Sequence, residues 1–293
     1  MKNDFRKLKT KALFAAVWMV ILAVVISAST YAWFTSNTNV NTTHANVHVA
    51  VKELQLELGE SEADLRPMTE AEGLDIPQVN QANLEKLMPV STSDLEGFVY
   101  STGSVTSEGG DVYASSFSLD EEEKYYFHGE FYMRALAERQ SENAKMALYF
   151  STPIGGDETQ GDAFNSARVG FKFDDGLTRI FRVSEGESGV RTNNTYVEGA
   201  LADENSVLNW NGGGVSVVED PSLEMARYIV GSEYTDGTLP EEPICYLELN
   251  RVYKVDVYYY MEGCDPDCSE SAELTDMNLN LSFYGILTEA ADE

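Results

Sequence analysis

Residues 251–260 read RVYKVDVYYY and residues 276–286 read DMNLNLSFYGI. In the first, Tyr253, Val255, Val257 and Tyr259 recur at every second position. In the second, Met277, Leu279, Leu281 and Phe283 alternate with Asn278, Asn280 and Ser282. A period of two puts one set of side chains on each side of an extended chain, so both segments are strands with one buried face. The turn-rich sequence between them, Glu262-Gly263-Cys264-Asp265-Pro266-Asp267-Cys268, predicts that they pair with each other. In this reading Tyr259 points inward while Tyr258 and Tyr260 point outward and pack across strands.

The same period recurs along the chain. In residues 124–134 (KYYFHGEFYMR), Tyr125, Phe127, Phe131 and Met133 share a face, and Gly129 marks a bulge or a close backbone approach. Residues 146–150 form another strand. Residues 167–173 and 178–183 form a hairpin across Asp174-Asp175-Gly176. Residues 47–51 and 54–58 also alternate, but the apolar phase changes across Lys52-Glu53, which predicts a β-bulge there. Residues 60–97 are acidic, carry Pro67, Pro77 and Pro89, and contain a short helical pattern near 81–87. Residues 101–116 are rich in Ser and Gly. Together, 60–116 reads as one insertion and 184–243 as another, with a weak strand at 215–218. Many strands with one apolar and one wet face require two packed sheets. The expected fold is all-β: one antiparallel β-sandwich domain over 47–293 with two long insertions.

The chain has 293 residues, with 20 Lys+Arg against 49 Asp+Glu. Lys2, Arg6, Lys7, Lys9 and Lys11 crowd the start, opposed by Asp4 alone. The rest beyond residue 32 holds 15 basic and 48 acidic side chains, a net of −33. Such a charge excludes nucleic acid and anionic membrane surfaces as partners, because both repel it.

The basic start runs into the apolar stretch 12–26 (ALFAAVWMVILAVVI) and then Ser27-Ala28-Ser29-Thr30. Positive flank, apolar middle and small-residue exit make up a secretory signal, so residues 1–32 are read as a signal segment cleaved between Ala32 and Trp33. The alternative is an uncleaved helical anchor: through Phe34 the low-polarity stretch is 23 residues, long enough to span a bilayer. Both readings put the remainder outside the cytoplasm, with the membrane touched only by the N-terminal segment.

Ser29-Thr30-Tyr31-Ala32-Trp33-Phe34-Thr35, the polar Thr/Asn tract after it and the alternating 47–58 segment together resemble the TasA/camelysin family of secreted Gram-positive proteins. Residues 125–134 and the run from Val257 through the Cys264-Asp265-Pro266-Asp267-Cys268 turn are similar to clostridial relatives of that group. The resemblance implies processing by a SipW-type signal peptidase, a jelly-roll body and, in the fibre-forming members, self-association into biofilm-matrix filaments. There the freed N-terminal segment acts as a donor strand for the next subunit. Here that strand is the extension 33–46, with Trp33, Phe34 and Val40 as its apolar residues. A sheet edge is a template for such addition. The insertions lengthen this chain relative to the family, and they equally suit a monomeric adhesion or ligand-binding module at the cell surface.

Camelysin-like proteins are described as metalloproteases, yet the chain has no His-Glu-x-x-His. His44 and His48 are four apart on a predicted strand, about 13 Å along it, too far to share an ion. His128 lies in another strand. No nucleophile elbow, P-loop or dinucleotide fingerprint occurs, so no catalytic residue and no cofactor is assigned. Cys264 and Cys268, in an exported chain, suit a small disulfide pinning their loop. Alternatively Glu262, Asp265, Asp267 and Glu270 supply oxygen ligands to a calcium ion, though without EF-hand spacing. Cys245 is read as a small buried hydrophobe.

Overall fold

The computed structural model describes residues 40–49, 54–67, 73–85, 87–102, 106–108, 111–114, 116–137, 144–151, 165–183, 193–197, 200–202, 205–222, 243–265, 268 and 277–289. All of these belong to one compact unit, Asn37–Glu293. The expected signal segment 1–32, the cleavage point expected at Ala32 and Trp33, and the bulge expected at 52–53 lie outside the described residues.

The described chain is nearly all β. Its strands are β1 (Val40–Val49), β2 (Leu54–Gly59), β3 (Arg66–Pro67), β4 (Pro89–Ser91), β5 (Val99–Ser101), β6 (Thr106–Glu108), β7 (Asp111–Ala114), β8 (Phe117–Leu119), β9 (Phe127–Ala137), β10 (Ala144–Phe150), β11 (Ala167–Phe173), β12 (Thr178–Arg182), β13 (Asn193–Val197), β14 (Ala200–Leu201), β15 (Ser206–Trp210), β16 (Val215–Glu219), β17 (Cys245–Glu248), β18 (Val252–Glu262) and β19 (Met277–Glu289).

Two sheets enclose the main core. One has the order β1-β19-β10-β17. The other runs β3-β2-β9-β18-β4-β5-β8, with β11 also pairing with β18, and β12 with β11. Their inward positions supply one cluster: Leu54, Leu56 and Leu58 from β2; Phe131 and Met133 from β9; Met146, Leu148 and Phe150 from β10; Val169 and Phe171 from β11. Tyr253, Val255, Val257 and Tyr259 of β18 and Leu281 and Phe283 of β19 also belong to it. These are the residues that period-two alternation selects, because burial of that face is the main favourable term. The rings of Phe150, Phe171, Phe181 and Phe283 stand 5.3–6.4 Å apart in tilted, stacked and edge contacts. Such spacings lie in the favourable range for aromatic pairs.

The expected hairpin of β11 and β12 is present, with Gly176 at φ +89° in its turn. Three expectations need correction. β18 and β19 do not pair: both edges of β18 are taken by β9 and β11. β19 instead sits between β10 and β1 in the other sheet. β1 and β2, expected as two halves of one bulged strand, belong to different sheets, and residues 50–53 between them lie outside the described residues. Nor is every pairing antiparallel: β1 runs parallel to β19, β4 to β18, and β13 to β7.

The first insertion is also more than surface. Leu74, Ile76 and Leu87 enter the main core. Residues 81–85, expected as helix, form turn and irregular backbone. A second cluster of Val90, Leu95, Phe98, Tyr126, Ile180, Tyr258 and Tyr260 covers the outer face of β18. Phe98 stacks on Tyr126 with centroids 3.7 Å apart. Tyr258 and Tyr260 do point away from the main core, as the alternation requires, but the insertion buries them. Tyr125 lies before β9 rather than on its inner face, against Tyr100. Two glycines make these approaches possible: a Cβ on Gly129 would stand 2.7 Å from Ile76, and one on Gly170 2.6 Å from Leu95.

Candidate functional site

Two regions hold the residues singled out above: the outer strand of the four-stranded sheet and the turn after β18. At the first, β1 forms the sheet's edge and, among the described residues, bonds to β19 alone, in register from Val40 opposite Met277 to Val49 opposite Gly285. The register shifts between Thr43 and Ala45, at His44. Of the candidate donor-strand residues, Val40 begins β1, while Trp33 and Phe34 lie outside the described residues. The boundary drawn at residue 46 disappears, since the latter part of the extension and the first expected strand are one element. At the far edge of this sheet β17 pairs, among the described residues, only with β10 and turns Tyr246 to solvent, while Cys245 and Leu247 enter the core.

At the second region, Glu262 ends β18 and Asp265 follows in the turn; Asp267 and Glu270 lie outside the described residues. Both described carboxylates are buried. What they meet is Arg168 of β11, itself only 1% exposed. Its Nη2 donates to Asp265 at 2.7 Å and lies 3.7 Å from Asp220, which Arg182 of β12 also holds at 3.1 Å. Arg182 Nε further donates to Ser222 at 3.3 Å. Burial weakens the Arg168 charge, but Asp265 and then Asp220 outweigh it and keep the guanidinium protonated.

Glu262 differs from the other carboxylates of this group. Its Oε1 accepts from the Cys264 amide at 3.0 Å, and its Oε2 has no hydrogen-bond partner among the described residues. Burial pushes its pKa up to about 8, against the opposing pull of a Ser91 hydrogen bond and Arg168. Glu262 is therefore a neutral acid at pH 7, and the two arginines balance the two aspartates. Of the four expected calcium ligands, Glu262 and Asp265 face the Arg168 guanidinium, while Asp267 and Glu270 lie outside the described residues. No group of three or more His, Cys, Asp or Glu among the described residues is arranged to hold a metal ion.

Cys264 and Cys268, expected to form a small disulfide, are both buried. Cys264 packs with Val99, Ala202 and Leu208, its sulfur 3.8 Å from Ser91 Oγ, while Cys268 packs into the main core. Burial raises the Cys268 thiol to about 12, so it is protonated and not nucleophilic at neutral pH. Backbone bonds from Asp265 to Glu262 at 3.1 Å and from Cys268 to Asp265 at 3.0 Å, together with Arg168, shape the turn that a bridge was expected to pin. Cys245, expected to be buried, is so.

The cluster joins the β15–β16 hairpin, through Asp220 and Ser222, and the turn, through Asp265, to the outer side of β11 and β12. Sequence reading missed it, because Arg168 sits at an outward position of an alternating strand, where a charge normally means solvent. One signal was available. Arg168 and Arg182 are directly opposite each other in the hairpin, and like charges so placed need acidic neighbours.

No family model, no curated protein and no solved structure matches this chain.

Proposed function

We propose that this protein is an exported, non-enzymatic structural subunit that self-associates by β-strand addition into extracellular fibres of the TasA-like kind, after removal of residues 1–32 by a SipW-type peptidase. The observation that carries this reading is β1. It precedes the other described strands, it lies at a sheet edge, and among the described residues it is bonded to one neighbour only, so it can leave β19 of its own chain and enter the same place in the next. The jelly-roll reading of the body draws support from strand order. The chain alternates between the sheet β1-β19-β10-β17 and the strands β2, β9, β18, β11 and β12 of the other, as a double Greek key does.

A second reading is a monomeric adhesion or binding module at the cell surface. It is favoured by the same strand: β1 already pairs with β19 within one chain.

Protein beginning at Trp33 and protein beginning near Asn46 separate the two under the electron microscope. Filaments from the longer form alone are the expected result. Monomers from both overturn strand addition and leave the surface module.

A further inference from the structure

His128 of β9 stands where three segments converge, and neither ring nitrogen is left to water. Nδ1 lies 3.0 Å from the Glu123 carboxylate, in the loop before β9, and Nε2 lies 3.0 Å from the Asp256 carboxylate on β18. The ring stacks on Tyr258, centroids 4.5 Å apart and 17° from parallel. Its backbone is held by the first insertion. Asn80 Oδ1 accepts from the His128 amide at 3.2 Å, and the Val79 amide donates to its carbonyl at 2.8 Å. Asn80 Nδ2 in turn donates to the Glu123 and Tyr126 carbonyls at 2.8 and 2.7 Å.

A neutral imidazole has one N–H and one bare lone pair, whereas an ionised carboxylate only accepts. Carboxylates at both nitrogens leave a neutral ring with one lone pair facing another; only the imidazolium donates to both. We propose that His128 is a charged staple whose protonation fastens the 78–80 turn and the 120–126 loop to β9 and β18, and whose loss of a proton loosens that layer while the two-sheet core stays folded.

The surrounding charges agree. Lys254 lies 3.7 Å from Asp256 and 2.7 Å from Glu130. Asp120, in the same loop as Glu123, accepts from the Lys124 and Tyr125 amides. Lys172 of β11 also acts on Asp256 and holds it toward the ionised form. Tyr126 and Tyr258 are pushed by burial far above the ordinary phenol range, so they stay neutral beside the ring. For His128, burial lowers the pKa, but the hydrogen bonds it donates to Asp256 and Glu123 outweigh that and raise it from 6.5 to about 9. Between those values the folded protein holds a proton that the unfolded chain lacks. The staple's contribution is thus complete below about pH 6.5 and is lost as pH rises toward about 9.

Lys124 places a tryptic site inside the stapled loop. Trypsin treatment of the full-length protein, normalised to a control peptide, is expected to cut after Lys124 roughly tenfold or more faster at pH 9 than at pH 7. In His128→Gln, cleavage there is fast at both pH values. Equal cleavage of the wild type at pH 7 and 9 overturns the proposal. Because the variant can fail to fold, NMR titration of the wild-type His128 ring gives an independent test. A midpoint near 9 supports the staple, and one near 6.5 removes it.

Discussion

Two ion pairs on the outer side of the larger sheet have the same 2.7 Å separation and opposite surroundings. Lys254 meets Glu130 with side chains 41% and 26% exposed; Arg168 meets Asp265 with 1% and 7%. Near Lys254 the outer face of β18 is wet. Toward Glu262 the insertion layer, the β15–β16 hairpin and the turn exclude water. The first pair is weakened by solvent and salt. In the second, both charges have already lost hydration, so each depends on the other. Distance alone says little about what a pair is worth.

The largest break in this comparison is Arg168→Ala. It leaves Asp220 and Asp265 buried with half their compensation, and a loss of about 3–5 kcal/mol is expected in denaturant titration. Next comes the acid beside them. Glu262 carries a proton in the folded state up to about pH 8 but loses it near 4.5 when unfolded. Stability therefore falls as pH rises from about 4.5 toward about 8, with a slope approaching about 1.4 kcal/mol per unit from this group. Glu262→Gln keeps the shape, removes the titration and flattens that part of the curve; an unchanged slope shows that the carboxyl is ionised throughout. The smallest effect sharpens the contrast: Lys254→Ala is expected to cost no more than about 1 kcal/mol, and less as salt is raised.

What the sequence made legible follows from period two. The inner face of β18, the inner residues of β2, β9 and β11, the β11–β12 hairpin and the burial of Cys245 all appear where alternation or turn chemistry puts them. The partners of β18 and β19 do not, because alternation fixes which face is buried and says nothing about which distant strand lies alongside. Leu74, Ile76, Leu95 and Phe98 escaped for a different reason: single apolar residues among prolines, glycines and acids have no period, and only the tertiary fold gives them a surface to cover. At the turn after β18 the acids and thiols were visible, but their chemistry was decided by Arg168, nearly a hundred residues earlier in the chain. Of the edge residues, Val40 was placed in a strand, though as a donor for another molecule rather than as a partner of β19.

The parallel union of β1 with β19 has a consequence for how the molecule is made. The first described strand rests on the last, opposite residues numbered 40 and 277, so this pairing has no template until nearly the whole polypeptide has emerged. Contacts so remote in sequence form slowly. During synthesis β1 therefore waits unclaimed while the rest of the body assembles.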